Sequence, residues 1–282
     1  MARVLVTGAT GFIGSSVVAR LEAAKHVVIR GQRSPVKKNG VILDLEKVET
    51  LEKLAREEPC EAIIHLGTKV GWSGESDDDL YAPNVLATEM LAGVARDWDA
   101  YFVFTSAALV HGIKTRLITP NSPISPDTPY TRSKWLAEER ISTVNPKHCV
   151  IRLGGVFGLD GPQHLGLNRA IKQCLEGNKP RYTGEGKALR NYIYVEDVAA
   201  VVCHLLDRQT HGVHLLGGLE TLSIRDMLGM LTDTFLPGQR PDRLPGEDAN
   251  DQVIQVSPEL LPAHPYRVNL ADMANKADCR AS

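Results

Sequence analysis

Short apolar runs alternate with amphipathic segments through the first 155 residues, and this alternation limits the fold more than any other feature of the chain. Each run has the length of a buried strand, and the segments between the runs are long enough for helices. The sequence therefore predicts an α/β fold with a Rossmann-type, doubly wound parallel sheet. The predicted strands are 3–8, 26–30, 40–45, 61–67, 100–106 and 149–154, and the predicted helices are 13–24, 47–57, 84–96 and one that starts at Tyr130.

The pattern becomes less regular after residue 155. A stretch rich in Pro and Asp from Pro237 to Pro265 reads as irregular. A regular half followed by a smaller, less regular part predicts a ligand cleft at the carboxyl ends of the strands, between the two. We expect a dinucleotide-binding domain of residues 1–155, with 190–217 returning to it, and a smaller C-terminal substrate-binding part of 156–189 and 218–282. Within these parts we expect a helix over 166–176, a strand and a helix over 190–206, and a strand over 213–217.

Charge and cysteine usage exclude several classes of function. The 282 residues carry a net charge of -2, which offers no basic field for nucleic acid and no polybasic stretch for a membrane. The five cysteines are scattered and never stand two residues apart, so we expect reduced thiols, no metal site and a cytoplasmic protein. Met1 leads directly into an apolar strand without a signal pattern. The expected partner is a small molecule.

A glycine-rich segment, TGATGFIG (7–14), stands where the first strand becomes the first helix. Its glycines, Gly8, Gly11 and Gly14, let the backbone turn tightly and approach a pyrophosphate. The free N–H groups and the positive dipole of the helix N-terminus meet the negative charge of that pyrophosphate. The alternative is a glycine-rich turn without a ligand, but the strand before it and the helix after it favour a dinucleotide site.

The segment YTRSK (130–134) places a tyrosine and a lysine four residues apart on a predicted helix. Such a pair shares one helix face, so the ammonium of Lys134 can lie near the phenol of Tyr130. A neighbouring cation favours the phenolate and lowers the pKa of the tyrosine, which suits proton exchange with a substrate. An exposed helical pair is the alternative, and the glycine motif favours catalysis.

Taken together, these motifs resemble those of the extended short-chain dehydrogenases/reductases, the NAD-dependent epimerase/dehydratase family. The similarity runs from residue 3 to about 217 and includes DL (44–45), HLG (65–67), Asn84 with Thr88, and RNYIYVEDVA (190–199). The resemblance implies an enzyme in which Tyr130 is the acid/base and Lys134 also holds the nicotinamide ribose. It implies a homodimer, and it implies cofactor contacts from Gly8, Thr10, Gly11, Phe12, Ile13, Gly14, Asp44, Leu45, Leu66, Gly67, Thr68, Thr105, Tyr130 and Lys134. His65, within an apolar strand, is expected to be a core histidine with satisfied hydrogen bonds.

The end of the second strand bears on the choice of cofactor. The position where NAD enzymes carry an acidic residue falls on Gln32, and Arg33 follows it. An arginine there accommodates the extra phosphate of NADP. We therefore expect NADP, with NAD as the alternative if Arg33 is only a solvated surface residue.

The resemblance also implies a serine or threonine that hydrogen-bonds the substrate oxygen. Aligning Val110, His111 and Gly112 on the family motif places Ala107 at that position, one residue after Ser106. Ser106 is our candidate for the hydroxyl and Thr105 is the reserve. His111 is expected to be structural.

The substrate class depends on two positions in the second half. Arg190 resembles the family arginine that contacts the diphosphate of a nucleotide sugar, and its planar guanidinium suits phosphate oxygens. Gly155 stands where epimerases often carry a substrate-holding asparagine. The leading hypothesis is a nucleotide-sugar epimerase or dehydratase. An NADPH-dependent reductase of a steroid-like or other carbonyl substrate is the alternative, and a non-catalytic sensor is disfavoured because Tyr130 and Lys134 are both present.

Overall fold

The computed structural model describes residues 1–34, 39–71 and 74–281. Its strands are β1 Arg3–Thr7, β2 Val27–Gln32, β3 Gly40–Ile42, β4 Ala62–His65, β5 Tyr101–Ala107, β6 Leu117–Ile118, β7 His148–Leu153, β8 Val156–Phe157, β9 Arg181–Thr183, β10 Leu189–Arg190, β11 Ile193–Tyr194, β12 Gly212–Leu216, β13 Leu222–Ser223, β14 Asp242–Leu244 and β15 Val253–Ile254. Its α-helices are α1 Phe12–Ala23, α2 Val48–Leu54, α3 Asp77–Leu80, α4 Ala87–Asp97, α5 Pro129–Val144, α6 Gly166–Leu175, α7 Val195–Arg208, α8 Ile224–Phe235 and α9 Tyr266–Ala281. A π-helical turn, Tyr81–Leu86, precedes α4, and a 3₁₀ turn, Ala108–His111, follows β5.

Seven strands form the central sheet in the order β12-β7-β5-β4-β1-β2-β3, and every neighbouring pair is parallel. The chain starts in the middle, moves out to β3, returns past β1 to β4, and then extends the other side. This reversal of direction at β1 and β4 is the topological switch point of a doubly wound sheet. It confirms the predicted fold class.

Alternate residues of each central strand supply two cores, one on each face of the sheet. In β1, Val4 and Val6 pack on the face covered by α1 and α7, whereas Leu5 faces α2, α4 and α5. A parallel sheet covered on both faces reads as continuous apolar strands, as the sequence does here. Helices α6, α8 and α9 extend the first core, through residues such as Ile171, Leu231 and Leu270.

The second half is more ordered than its sequence suggests. The stretch predicted as irregular contains β14 and β15, which pair with β9 and β6 in parallel. Helices α8 and α9 were not predicted at all. The division into domains at residue 155 stays a prediction, although β12 does return to the central sheet.

None of the described helices has the length and apolar character needed to cross a membrane.

Candidate active site

The glycine-rich loop lies between β1 and α1, and its backbone leaves no room for side chains. Gly8 has a φ of +64°, and a Cβ atom there would lie 2.8 Å from the backbone nitrogen of Gly67. A Cβ atom on Gly14 would overlap the carbonyl oxygen of Gly8. Gly11, which precedes α1, supplies no side-chain cap, so the first N–H groups of the helix stay available. Thr10 and Gly11 are exposed beside them, which fits the pyrophosphate of a dinucleotide.

The residues expected beneath the cofactor lie against this loop. The N–H group of Gly67 donates to Thr7 Oγ1 at 3.0 Å, which holds the end of β4 against the end of β1. A Cβ atom on Gly67 would lie 3.1 Å from Leu45, so the Asp44–Leu45 and Leu66–Thr68 segments meet here. This tight cradle of glycine backbone fits a dinucleotide.

Asn84 joins the cofactor loop to the helix that carries Tyr130. Its Oδ1 atom accepts from the N–H of Lys69 at 2.8 Å and from Thr68 Oγ1 at 3.1 Å. Its Nδ2 atom donates to Ser133 Oγ at 3.0 Å, and Ser133 in turn donates to the carbonyl of Tyr130. The sequence offered Asn84 only as part of a family motif, and its bridging role comes from the structure.

His65 is the centre of a directional chain of hydrogen bonds. Thr88 donates to the carbonyl of Asn84, so it accepts the proton on His65 Nε2 at 2.9 Å. The other ring nitrogen, Nδ1, then accepts from Thr7 Oγ1 at 2.6 Å. Burial lowers the pKa of His65 to about 3, so the ring is neutral in this single tautomer. The prediction of a core histidine with satisfied hydrogen bonds is confirmed.

Tyr130 and Lys134 lie on the first two turns of α5, at the carboxyl end of β5. Thr128 begins this helix with a capping box, and Pro129 follows at the first helical position. The ammonium of Lys134 is 2% exposed and donates to the carbonyl of Thr105 at 2.8 Å. It stands 4.4 Å from the ring centre of Phe104 and 6.0 Å from that of Tyr130.

Burial dominates the acid–base properties of this pair in the protein alone. It lowers the pKa of Lys134 to about 7 and raises the pKa of Tyr130 to about 12. The sequence predicts that the neighbouring cation lowers the pKa of Tyr130. In the structure desolvation outweighs that effect, so the phenol is protonated and poised to donate.

The two hydroxyl candidates on β5 bond inside the protein. Ser106 Oγ donates to Glu138 Oε1, and Thr105 Oγ1 donates to the carbonyl of His65 at 3.3 Å. Ala107 is 9% exposed at the strand end. The contact of Ser106 with a substrate stays a prediction.

Glu138 belongs to a buried cluster that the sequence reading missed. It forms a bidentate ion pair with Arg152 of β7, with distances of 2.7–3.2 Å between the guanidinium and carboxylate atoms. Two signals were available in the sequence: Glu138 follows Lys134 by four residues, and Arg152 interrupts an apolar strand. A charged residue in a buried strand needs a charged partner.

The two candidate arginines, Arg33 and Arg190, lie on different elements of the fold. Arg33 directly follows β2, next to the end of β1, and its side chain is exposed. Arg190 donates from Nη1 to the carbonyls of Leu189 and Asn250, both at 2.7 Å. These two bonds fix one corner of the guanidinium, and none of its other N–H groups donates to a residue in the described part of the chain.

Comparisons with known proteins identify the family of the chain. Residues 4–216 match the NAD dependent epimerase/dehydratase family, and the chain belongs to this family. A UDP-glucose 4-epimerase of Pasteurella multocida is 30% identical over an alignment that covers 87% of each chain.

Two solved structures show the same fold at low identity. A UDP-glucose 4-epimerase of Thermotoga maritima, solved with UDP-glucose, has a TM-score of 0.83 and 18% identity, covering 99% of this chain and 100% of that one. A dTDP-4-dehydrorhamnose reductase of Bacillus anthracis, solved with NADP, has a TM-score of 0.80 and 16% identity, covering 98% and 99%. The family and its members are enzymes that use nicotinamide cofactors.

Proposed function

We propose that this enzyme moves a hydride between nicotinamide and a carbinol or keto carbon of a nucleotide sugar, with Tyr130 as the acid/base. The placement of Tyr130 and the buried Lys134 at the same sheet edge as the glycine loop carries this proposal. The Pasteurella multocida relative, named a UDP-glucose 4-epimerase, supports the nucleotide-sugar class over a simple carbonyl reductase.

A bound nicotinamide ring supplies the acceptor or donor for the hydride. The protein handles the proton: the hydroxyl of Tyr130 makes no hydrogen bond to a described residue, so it is available to a substrate oxygen. In the direction of reduction, the phenol of Tyr130 donates its proton to the substrate oxygen, and Lys134 stabilises the phenolate that results. In the direction of oxidation, the phenolate takes the proton of the substrate hydroxyl and returns to the phenol. The N–H groups at the start of α1 are proposed to hold the pyrophosphate, and the Gly67 backbone, whose N–H donates to Thr7 Oγ1, lies against the glycine loop beneath it.

Arg190 is proposed to bind the diphosphate of the substrate. Its anchoring to two backbone carbonyls fixes the guanidinium before a ligand arrives, which reduces the entropy lost on binding. A charge-assisted contact of this kind contributes about 1.5–3 kcal/mol. The free N–H groups match phosphate oxygens in geometry.

The test of the substrate class is calorimetric titration with UDP, dTDP and UDP-glucose. Arg190→Ala should weaken UDP binding by about tenfold to one hundredfold. Arg181→Ala, at an exposed arginine of β9, is the matched control and should bind UDP like the wild type. A wild-type protein that binds neither UDP nor dTDP would contradict the nucleotide-sugar proposal.

NADP is proposed as the preferred cofactor. Arg33 is exposed beside the end of β1, and Gln32 leaves no carboxylate there to repel a 2′-phosphate. Arg33→Asp should reverse the preference for NADPH over NADH, whereas Arg56→Asp, an equal charge change beyond the far end of α2, should not. Equal affinities for both cofactors in the wild type and in Arg33→Asp would show that Arg33 takes no part.

We also propose a cytoplasmic homodimer that pairs through α4 and α5. Leu136 on α5 is 43% exposed, which gives this face an apolar residue to cover. Light scattering of the purified protein tests the dimer: a monomer at micromolar concentration would contradict it.

A further inference from the structure

Four buried side chains form one hydrogen-bonded cluster behind the catalytic pair. Ser106, Glu138, Arg152 and His111 are each at most 8% exposed. Arg152 Nη1 donates to His111 Nε2 at 3.0 Å, so the proton of this neutral ring is on Nδ1, which donates to the carbonyl of Pro123 at 3.1 Å. The cluster therefore joins β5, β7, α5 and the loop that leads into α5.

This cluster is adjacent to the Tyr130–Lys134 pair both along α5 and at the end of β5. Glu138 lies one turn beyond Lys134 on α5, and Lys134 lies one turn beyond Tyr130. Ser106, which donates to Glu138, directly follows the residue whose carbonyl accepts from Lys134. The same two elements, α5 and the end of β5, thus carry both the catalytic pair and the cluster and fix their relative positions.

We propose that Glu138 is a positioning residue for Tyr130 and Lys134. Its carboxylate accepts a hydrogen bond from Ser106 and pairs with Arg152, and these contacts fix the rotation of α5 against β5 and β7. The same carboxylate places a negative charge one turn from the Lys134 ammonium. This inference rests on the roles proposed above for Tyr130 and Lys134. In this proposal Ser106 holds the Glu138 carboxylate and does not contact the substrate.

The surroundings of Lys134 explain why this charge matters. Two residues of its own helix α5, Tyr130 and Glu138, face Lys134. Strand β5 contributes the ring of Phe104 and the carbonyl of Thr105. Strand β4 contributes the neutral His65. Burial lowers the pKa of Lys134, and Glu138 is the charged group that raises it in opposition. Arg152, on β7, forms a buried ion pair with this carboxylate.

The first experiment measures the pH dependence of NADPH binding by protein fluorescence between pH 6 and pH 9. A Lys134 that loses its proton at lower pH loses its ribose contact, so the affinity of Glu138→Gln should fall at lower pH than that of the wild type. At pH 8 the expected loss is about tenfold. Glu139→Gln, at the exposed neighbour on the same helix, is the matched control and should follow the wild-type curve. A Glu138→Gln curve that coincides with the wild type would overturn the proposal.

The second variant guards against unfolding, because Glu138→Gln leaves the Arg152 charge buried without a partner. Replacing the pair together, Glu138→Gln with Arg152→Met, removes both charges and should fold. The NADPH curve of this double variant should still move to lower pH. If the double variant folds and its NADPH curve coincides with that of the wild type, Glu138 is not a positioning residue.

A mutant cycle separates support from direct contact. Ser106→Ala should weaken NADPH binding by about two- to tenfold in the wild type and have no further effect in the double variant, since the Glu138 carboxylate is already gone. If Ser106 contacted only the substrate, NADPH affinity would be unchanged in both backgrounds, and the supporting role would be wrong. Because NADPH is the only probe, a failure of the UDP titrations leaves these outcomes unaffected.

Discussion

Replacing Lys134 by methionine should remove activity and yet stabilise the protein in the absence of cofactor. Burial lowers the pKa of Lys134 from 10.5 to about 7, a shift that corresponds to about 5 kcal/mol of cost for the buried charge. Methionine keeps the apolar stem but leaves the Thr105 carbonyl without its donor, which costs about 1–3 kcal/mol. The net gain in the free energy of unfolding should be about 2–4 kcal/mol at pH 6.

The dependence on pH follows from the direction of the shift. Above pH 7 the folded lysine loses its proton, whereas the unfolded lysine keeps it up to about 10.5. The unfolded state then binds more protons, so the wild type gains stability as the pH rises through this window. The advantage of Lys134→Met should therefore shrink from pH 7 toward pH 10.

Urea unfolding of the cofactor-free proteins at pH 6, 8 and 10 measures this difference. Lys172→Met, at an exposed lysine of α6, is the control and should change stability little at any pH. A Lys134→Met variant that is no more stable than the wild type at pH 6, or is equally stabilised at every pH, would show that the buried charge of Lys134 carries no such cost. NADPH binding to the same variant should be weakened, because the buried charge that destabilises the cofactor-free protein also contacts the cofactor.

Two further predictions concern packing around the site. Gly155→Ala would place a Cβ atom inside the ring of Tyr192, so it should destabilise the protein by about 1–3 kcal/mol in urea unfolding, whereas Gly229→Ala, within α8 and in open space, should not destabilise it. An unchanged Gly155→Ala variant would show that Tyr192 moves freely. Asn84→Ala should lower the free energy of unfolding by about 1–3 kcal/mol and weaken NADPH binding, because it frees the Lys69 and Ser133 partners; normal NADPH affinity would contradict the bridging role.

The central sheet could be predicted because its strands are local and continuous in the sequence. Each run, such as AIIH (Ala62–His65), is buried on both faces, so its own residues are sufficient to predict a strand. The second half lacks this property: β14 and β15 contain three and two residues, and each is held by a partner elsewhere in the chain. Helix α8 is an exception, because its amphipathic pattern is present in the sequence and is sufficient to predict it.

The candidate site divides in the same way. The spacing of Tyr130 and Lys134 on one helix is local, and so is the glycine loop. The pKa of Tyr130 depends on burial by the folded chain, and the engagement of Ser106 depends on Glu138, 32 residues away. The motifs therefore predict the candidate reacting groups, whereas the burial and hydrogen bonds around those groups are visible only in the structure.

The proposed function rests on one step, in which Tyr130 exchanges a proton while a hydride leaves a nucleotide sugar. The most direct measurement is rapid mixing of the enzyme, loaded with NADP or NAD, with UDP-sugars and dTDP-sugars while the absorbance of reduced nicotinamide is followed. A transient reduction is expected in the wild type and none in Tyr130→Phe, which should bind NADPH as the wild type does. If Tyr130→Phe is reduced at the wild-type rate, Tyr130 is not the acid/base, and if none of these sugars reduces the cofactor-loaded wild type, the substrate is not one of these nucleotide sugars.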